Sequence, residues 1–204
     1  KDKKMYSKDQ KAISIMARKS VEFNTWVIVM VLVSIRTFWG NIVPNMQKVK
    51  KDGVNSTMFN NGSKKKGYKY IKTHAKHLHS VIFSDTLTDE EKLVELCEIP
   101  NIKLVKAGFI LQLCLGKVGC IDCHNATEYG TKLSDYKFGP NASLSTKVRK
   151  ARSYIAECKR QGGSAKLWNS WCKQRYEQYP NTFTSARDVS LRHVDAVVSV
   201  AVGK

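Results

Sequence analysis

The stretch of sequence that decides the fold covers residues 88–125 and reads TDEEKLVELCEIPNIKLVKAGFILQLCLGKVGCIDCHN. Thr88 followed by three acidic residues is typical of a helix N-terminus and predicts a short helix. Pro100 ends that helix, and the apolar residues 102–116 predict a second one directly after it. Asp122 stands where a third helix is expected to begin. The predicted order is therefore helix, tight hairpin, helix, loop, helix.

Helical patterns also dominate the rest of the chain. Apolar residues at helical spacing, or residues that cap helices, mark further predicted helices at 1–20, 21–39, 64–82, 143–161, 164–176 and 185–198. Residues 45–63 carry Asp-Gly and Asn-Asn-Gly and predict a loop. No segment alternates apolar and polar residues between hairpin turns, as a β-hairpin would. The sequence therefore predicts an all-α protein.

The most apolar run occupies residues 26–35, reads WVIVMVLVSI and follows a basic segment. It spans 10 residues, whereas a helix that crosses a bilayer needs about 20 predominantly apolar ones. Arg36 follows it directly, and no small-residue cleavage site comes after. We expect a buried core helix rather than a signal peptide or membrane anchor, no membrane partner, and a cytoplasmic or nucleoid-associated location.

The net charge narrows the class of partner. The 204 residues include 35 Lys and Arg against 17 Asp and Glu, which gives a formal net charge of +18. A charge of this size favours a polyanionic partner, with nucleic acid ahead of an anionic membrane surface. The basic residues are concentrated in residues 1–20, 44–77 and 147–160, and residues 84–98 form an acidic island.

Six cysteines lie mostly in apolar, helix-like stretches, which favours reduced thiols over a disulfide scaffold. Two of them form Cys120-Ile-Asp-Cys123-His124, the pattern by which a c-type haem is attached, so a haem protein is a minor alternative. A zinc or redox role for the same two cysteines is another. The main interpretation includes no cofactor and no metal site.

The order of motifs in residues 99–124 resembles that of the helix-hairpin-helix DNA glycosylase superfamily, as a divergent, endonuclease III-like member. There, a Leu-Pro-Gly-Val-Gly hairpin leads into a Lys-Thr-Ala helix, and a Val-Asp-x-His motif follows about one helix later. Residues 99–103 (IPNIK) stand for the hairpin, residues 104–107 (LVKA) for the helix and residues 121–124 (IDCH) for the aspartate motif.

The resemblance implies two helical lobes flanking a DNA cleft. Residues 21–125, with the hairpin at 99–107, correspond to one lobe, and residues 1–20 together with 126–204 correspond to the other. It further implies a duplex DNA partner, contacts to the phosphate backbone, and a nucleotide flipped out of the stack so that its glycosidic bond can be reached.

The resemblance also assigns the chemistry. Asp122 would stabilise positive charge on the sugar and orient or deprotonate the nucleophile, and Lys106 would attack C1′ to form a Schiff base before strand cleavage.

The sequence departs from the motif of the superfamily at two places, the hairpin and the lysine. Asn101 and Lys103 replace the hairpin glycines, although Asn tolerates left-handed backbone geometry and Lys103 can itself contact a phosphate. The family's Schiff-base lysine falls at Val105, one position before Lys106.

The expected DNA-binding residues come from the hairpin and from two basic helices. They are Asn101 and Lys103 in the hairpin, Lys64, Lys65, Lys66 and Lys69 before it, and Lys147, Arg149, Lys150 and Arg152 near the C-terminus. The expected activity is that of a base-excision repair DNA glycosylase. It has AP-lyase activity if Lys106 is the nucleophile, and it is monofunctional if water takes that role.

A second hypothesis keeps the hairpin and drops the catalysis. Asp122 is then an ordinary N-cap, and Lys106 a solvated or phosphate-binding side chain. The protein would be a non-catalytic helix-hairpin-helix protein that binds or packages DNA, or is associated with a virion.

Overall fold

The computed structural model describes residues 2–54 and 63–202, and within these ranges it is helical and contains no β-strand. The all-α prediction is confirmed. The helices are α1 (Asp2–Lys19), α2 (Val21–Val33), α3 (Ile42–Asp52), α4 (Ser63–Thr73), α5 (Ala75–Ile82), α6 (Asp89–Leu96), α7 (Leu104–Leu115), α8 (Cys123–Tyr129), α9 (Leu144–Arg160), α10 (Gly163–Gln178) and α11 (Ala186–Ala201).

The predicted helix, hairpin and helix are α6, residues 97–103 and α7. Thr88 caps α6 by a capping box: its side chain accepts from Glu91 N–H, and the Glu91 carboxylate accepts from Thr88 N–H. In the hairpin, Asn101 has φ of +74°, in the left-handed region that Asn tolerates better than most residues. The expectation that Asn101 takes up left-handed geometry is confirmed, so the tight turn forms without a glycine at this position.

Helix α2 lies at the centre of the molecule. Its residues from Phe23 to Val33 are all buried, and α1, α3, α4, α5, α7 and α11 pack around it. A helix that is apolar on every side is stable only when it is enclosed in this way. The core-helix prediction for residues 26–35 is confirmed for α2, which ends at Val33. Within the described residues, no helix is long and apolar enough to cross a bilayer.

The prediction of a loop at 45–63 is wrong for its first part. Helix α3 continues to Asp52, and Pro44 lies in its first turn, where the missing N–H has no partner to lose. Positions 55–62 of the predicted loop lie outside the described residues.

The remaining helices pack into one continuous hydrophobic cluster. Helix α3 packs on α11, α1 packs on α7, α10 and α11, and α6 packs on α9. The division into two lobes stays a prediction.

Helix α7 is fixed against the loop before α8 by a close approach at Gly108. A Cβ atom at this position would clash with the carbonyl oxygen of Gly119 and with the Tyr154 ring. The Tyr154 hydroxyl donates to that same Gly119 oxygen at 2.8 Å and accepts from Ile121 N–H at 3.0 Å. The loop that presents Asp122 is therefore held directly against α7.

We expect Gly108→Ala to lower the free energy of unfolding by about 1–3 kcal/mol, measured by urea denaturation, because the added methyl group overpacks this contact. An alanine in an open helix position would instead stabilise by up to about 1 kcal/mol. Gly139→Ala is the matched control, since a Cβ atom there meets nothing within 4 Å. A Gly108→Ala protein as stable as the parent would contradict the expectation.

Candidate functional site

A cavity of about 390 Å³ lies where the turn after α2 meets α7, the start of α8, α10 and α11. We call it the aromatic cavity because its lining includes the rings of Phe38, Trp39, Phe109, Trp168, Trp171 and Tyr179, together with the His193 imidazole. The polar and charged side chains that join them include Ser34, Arg36, Lys106, Asp122, His124 and Arg175. A mostly apolar pocket of this size with a few polar groups is typical of a small-molecule or substrate site.

Lys106, the expected nucleophile, extends from α7 into the wall of the aromatic cavity. Its Nζ donates to Ser34 Oγ at 3.4 Å and lies 5.5 Å from the centroid of the Phe109 ring. Val105, at the position of the family's lysine, packs against the hydrophobic core. Position 105 therefore faces the core, whereas position 106 faces the cavity and carries its amine there.

Asp122 lines the same cavity and caps α8. Its Oδ1 accepts from the backbone N–H groups of His124 at 3.0 Å and Asn125 at 2.9 Å. Among the described residues, no donor bonds its other oxygen, Oδ2. One carboxylate oxygen of Asp122 thus caps α8 as in an ordinary N-cap. The other oxygen, Oδ2, is able to accept a hydrogen bond or a proton from a ligand.

The turn that forms one side of the aromatic cavity is held by a buried lysine. Lys64 Nζ donates to the carbonyl oxygens of Val33 at 2.9 Å and Ile35 at 2.5 Å, and to Thr37 Oγ1 at 3.1 Å. These contacts satisfy the carboxyl end of α2 and fix the turn in which Arg36 adopts a left-handed φ of +52°.

The expectation that Lys64 contacts a DNA phosphate is corrected by this geometry. The side chain is 0% exposed. Burial, together with the positive charge of Lys106, lowers the pKa of Lys64 to about 8. The Lys64 ammonium therefore caps the carboxyl end of α2 within the protein and does not face solvent.

His193 lies deepest in the group of rings. Its ring centroid is 4.1 Å from that of Trp168 and 4.3 Å from that of Trp39, and the Phe109 ring meets it edge-on. Burial lowers the pKa of His193 to about 3, so the imidazole is neutral at physiological pH. Its Nδ1 is 2.9 Å from the carbonyl oxygen of Ser190.

A buried hydrogen-bond chain fixes Trp168 in the cavity wall. Trp168 Nε1 donates to Ser190 Oγ at 2.9 Å, and the Ser190 hydroxyl donates in turn to the Asp9 carboxylate. Arg187 pairs with that carboxylate at 2.8 Å. Helix α1 thereby positions a cavity ring on α10 through a residue of α11.

His124 and Arg175 contact each other beside Asp122. Arg175 Nη2 is 2.5 Å from His124 Nε2, and because a guanidinium can only donate, Nε2 is the acceptor. The c-type haem interpretation does not fit this contact, since the axial nitrogen is already occupied. Nor do the described residues include a group of three or more His, Cys, Asp or Glu side chains that could hold a metal ion.

The hairpin and α4 carry the exposed cations expected near DNA. Lys103 is exposed and precedes α7 without capping it by its side chain. Lys65, Lys66 and Lys69 are exposed on α4, whose Gly67 lies directly against the carbonyl oxygen of Pro100 in the hairpin. These cations therefore belong to one region of the surface.

The cations of α9 are placed differently. Lys147 pairs with Glu98 at 3.6 Å and Arg152 with Glu90 at 3.9 Å, so both lie beside the acidic island. Lys150 Nζ donates to the carbonyl oxygen of Asp135 at 2.7 Å. Arg149 is exposed. Three of the four expected DNA-binding residues of α9 therefore have partners within the protein.

Residues of α10 and α11 complete the site and were not among the predicted site residues. Trp168 and Trp171 are expected on one face of a helix, but nothing in the sequence distinguishes a cavity-lining face from a core-packing one. His193 and Arg175 carry no motif. Only the tertiary fold brings them to Lys106 and Asp122.

No protein-family model, curated protein or solved structure matches the chain. What it does is therefore inferred from the chemistry of its own residues.

The burial of His193 predicts a particular dependence of stability on pH. Because its pKa of about 3 in the folded protein lies below the unfolded value of about 6.5, its contribution is complete above pH 6.5 and is lost as the pH falls toward 3. Between these values we expect stability to fall by up to about 1.4 kcal/mol per pH unit more steeply than in His193→Gln. Urea denaturation at several pH values measures this slope.

His77→Gln is the matched control, because His77 is exposed and pairs only with Glu95 at 3.5 Å. Parallel slopes for the parent and His193→Gln would show that the imidazole is not held neutral.

Proposed function

We propose that the protein is a DNA-binding, base-excision DNA glycosylase with AP-lyase activity. One observation carries the proposal: Lys106 and Asp122, selected by the hairpin resemblance, line the same aromatic cavity. A lysine and an aspartate at the wall of an apolar pocket are the groups that cleavage of a glycosidic bond through a Schiff base requires.

The rings of the cavity suit a flipped base. A base within a duplex cannot be reached by catalytic side chains, so it has to leave the stack and lose its stacking neighbours. Trp39, Trp168 and Trp171 offer aromatic faces and edges that replace those neighbours.

The chemistry follows from the two residues. The unprotonated amine of Lys106 attacks C1′ of the sugar as the bond from C1′ to the base nitrogen breaks, and the base leaves with that electron pair. Asp122 Oδ2 accepts the proton that the amine loses, and its negative charge stabilises the positive charge that develops on the sugar. The C1′–O4′ bond then breaks as the amine nitrogen forms a double bond to C1′, and O4′ takes the proton held by Asp122. The resulting Schiff base acidifies C2′, and β-elimination cleaves the strand on its 3′ side.

DNA contact is supported by the hairpin and by the cations beside it. The first N–H groups of α7 follow Lys103 and have no intrahelical partners, which suits a phosphate. Lys103, Lys65, Lys66 and Lys69 add exposed positive charge in the same region. Lys64 takes no part in this contact.

The second hypothesis, a DNA-binding protein without catalysis, is favoured by the two departures in the hairpin region. Asn101 and Lys103 replace glycines through which the backbone approaches a phosphate, and the lysine stands one position later than in the family. Catalytic assays separate the two hypotheses.

Borohydride trapping on duplex DNA with an abasic site tests the catalytic pair. We expect the parent protein to form a covalent adduct, Lys106→Ala to form none, and Asp122→Asn to react at least about 100-fold more slowly. Asn caps helices nearly as well as Asp, so Asp122→Asn leaves α8 in place.

Lys166→Ala is the matched control, because Lys166 is a lysine of α10 that lies over the Tyr129 ring. If no adduct forms and no panel of damaged bases is released, the enzyme is excluded and the binding protein remains.

The salt dependence of duplex DNA binding tests the hairpin. We expect the logarithm of the association constant to fall linearly with the logarithm of salt concentration, with a slope of about −0.9 for each phosphate contact. Lys103→Ala should reduce the magnitude of the slope by about 0.9. Fluorescence anisotropy of labelled duplex DNA measures both.

Lys117→Ala is the control for this experiment. Lys117 follows the opposite end of α7 and pairs with Asp89 at 3.7 Å, so its removal should leave the slope unchanged. Equal slopes in the parent and Lys103→Ala would place the DNA elsewhere on the surface.

A further inference from the structure

The deepest group in the aromatic cavity is a histidine with one nitrogen that the protein does not use. His193 is 1% exposed and lies against the rings of Trp39 and Trp168 while lining the cavity. Its Nδ1 contacts the carbonyl oxygen of Ser190. A carbonyl only accepts, so Nδ1 carries the hydrogen. In the neutral ring, Nε2 is consequently a bare acceptor.

Three donors that line the cavity with His193 bond other acceptors. Trp39 Nε1 donates to the carbonyl oxygen of Val189 at 3.3 Å, and Trp168 Nε1 donates to Ser190. Gln112, on another wall of the cavity, donates to the carbonyl oxygen of Ser164 at 2.8 Å. Within the described residues, no donor bonds His193 Nε2. An acceptor without a protein partner, on a residue that lines a cavity, points to a donor on a ligand.

We propose that His193 Nε2 is a specificity-determining acceptor and that the aromatic cavity takes a neutral, planar nucleobase whose innermost group is an N–H donor. The lining of the cavity supports each property of this ligand. Its rings favour a flat ligand, and the Arg175 guanidinium in the cavity wall disfavours a positively charged one. A carbonyl or bare ring nitrogen at the inner end would face the lone pair of Nε2 and leave it unpaired.

The inference rests on the proposed function in one respect, that the base arrives on DNA. The test of the inference does not depend on the proposed function, because methylated free bases take the place of the flipped nucleotide. The first pair of probes is 9-methyladenine and 9-methylpurine, which differ only in the exocyclic amine. The second pair is 1-methyluracil and 1,3-dimethyluracil, which differ in the ring N–H. Binding is followed by magnetic resonance titration of the Trp39 and Trp168 indole N–H signals.

For at least one pair, we expect the parent protein to bind the N–H-bearing probe about tenfold or more tightly than its partner. His193→Phe keeps a ring in place but offers no acceptor, so the ratio should fall to about one. His74→Phe is the matched control and should keep the ratio. His74 likewise contacts a carbonyl oxygen through Nδ1, that of Tyr70 at 2.9 Å, but it lies between α4 and α5 and does not line the cavity.

A ratio near one for both pairs in the parent protein would overturn the proposal, and so would an unchanged ratio in His193→Phe. If His193→Phe does not fold, the nitrogen-15 signal of Nε2 in the labelled parent protein decides. A shift on addition of the tighter-binding probe supports the hydrogen bond, and no shift overturns it. Discrimination between probes without base release from DNA would remove the proposed function and leave the His193 site standing.

Discussion

The contact on which the site depends is the capping of a helix that has no access to water. Helix α2 is buried from Phe23 to Val33, so the carbonyl groups at its carboxyl end need partners inside the protein. The Lys64 ammonium donates to the carbonyl oxygen of Val33, the last residue of α2, and to Ile35 and Thr37 in the turn that follows. The turn fixed in this way carries Ser34, whose hydroxyl oxygen accepts from Lys106. Both residues line the aromatic cavity, so the position of this turn determines one of its walls.

Local patterns in the sequence predict the part of the fold that local interactions determine. The capping of α6 by Thr88 and of α8 by Asp122 depends on neighbours within three residues, and both are found as predicted. Pro44 shows the limit of such patterns, because a proline fits both the end of one helix and the first turn of the next. Only the packing of α3 on α11 decides between them.

The site was predicted only in part, for the same reason. Lys106 and Asp122 carry a motif, but the aromatic rings of the cavity come from distant parts of the chain. Trp39, for example, donates to the carbonyl oxygen of Val189, which is 150 positions away. Charge alone also does not show which cations have partners inside the protein. Lys64 is buried, and Lys147 and Arg152 pair with the acidic residues beside α6.

The packing of α1 against α7, α10 and α11 gives the chain a particular order of assembly during synthesis. Tyr6 and Ile13 of α1 are buried in the finished protein, yet α10 and α11 leave the ribosome well after α1. Until then, the first helix has an apolar side without its final partners, and contacts of such long range also slow folding. The cavity is complete only once α11, which carries His193, has emerged.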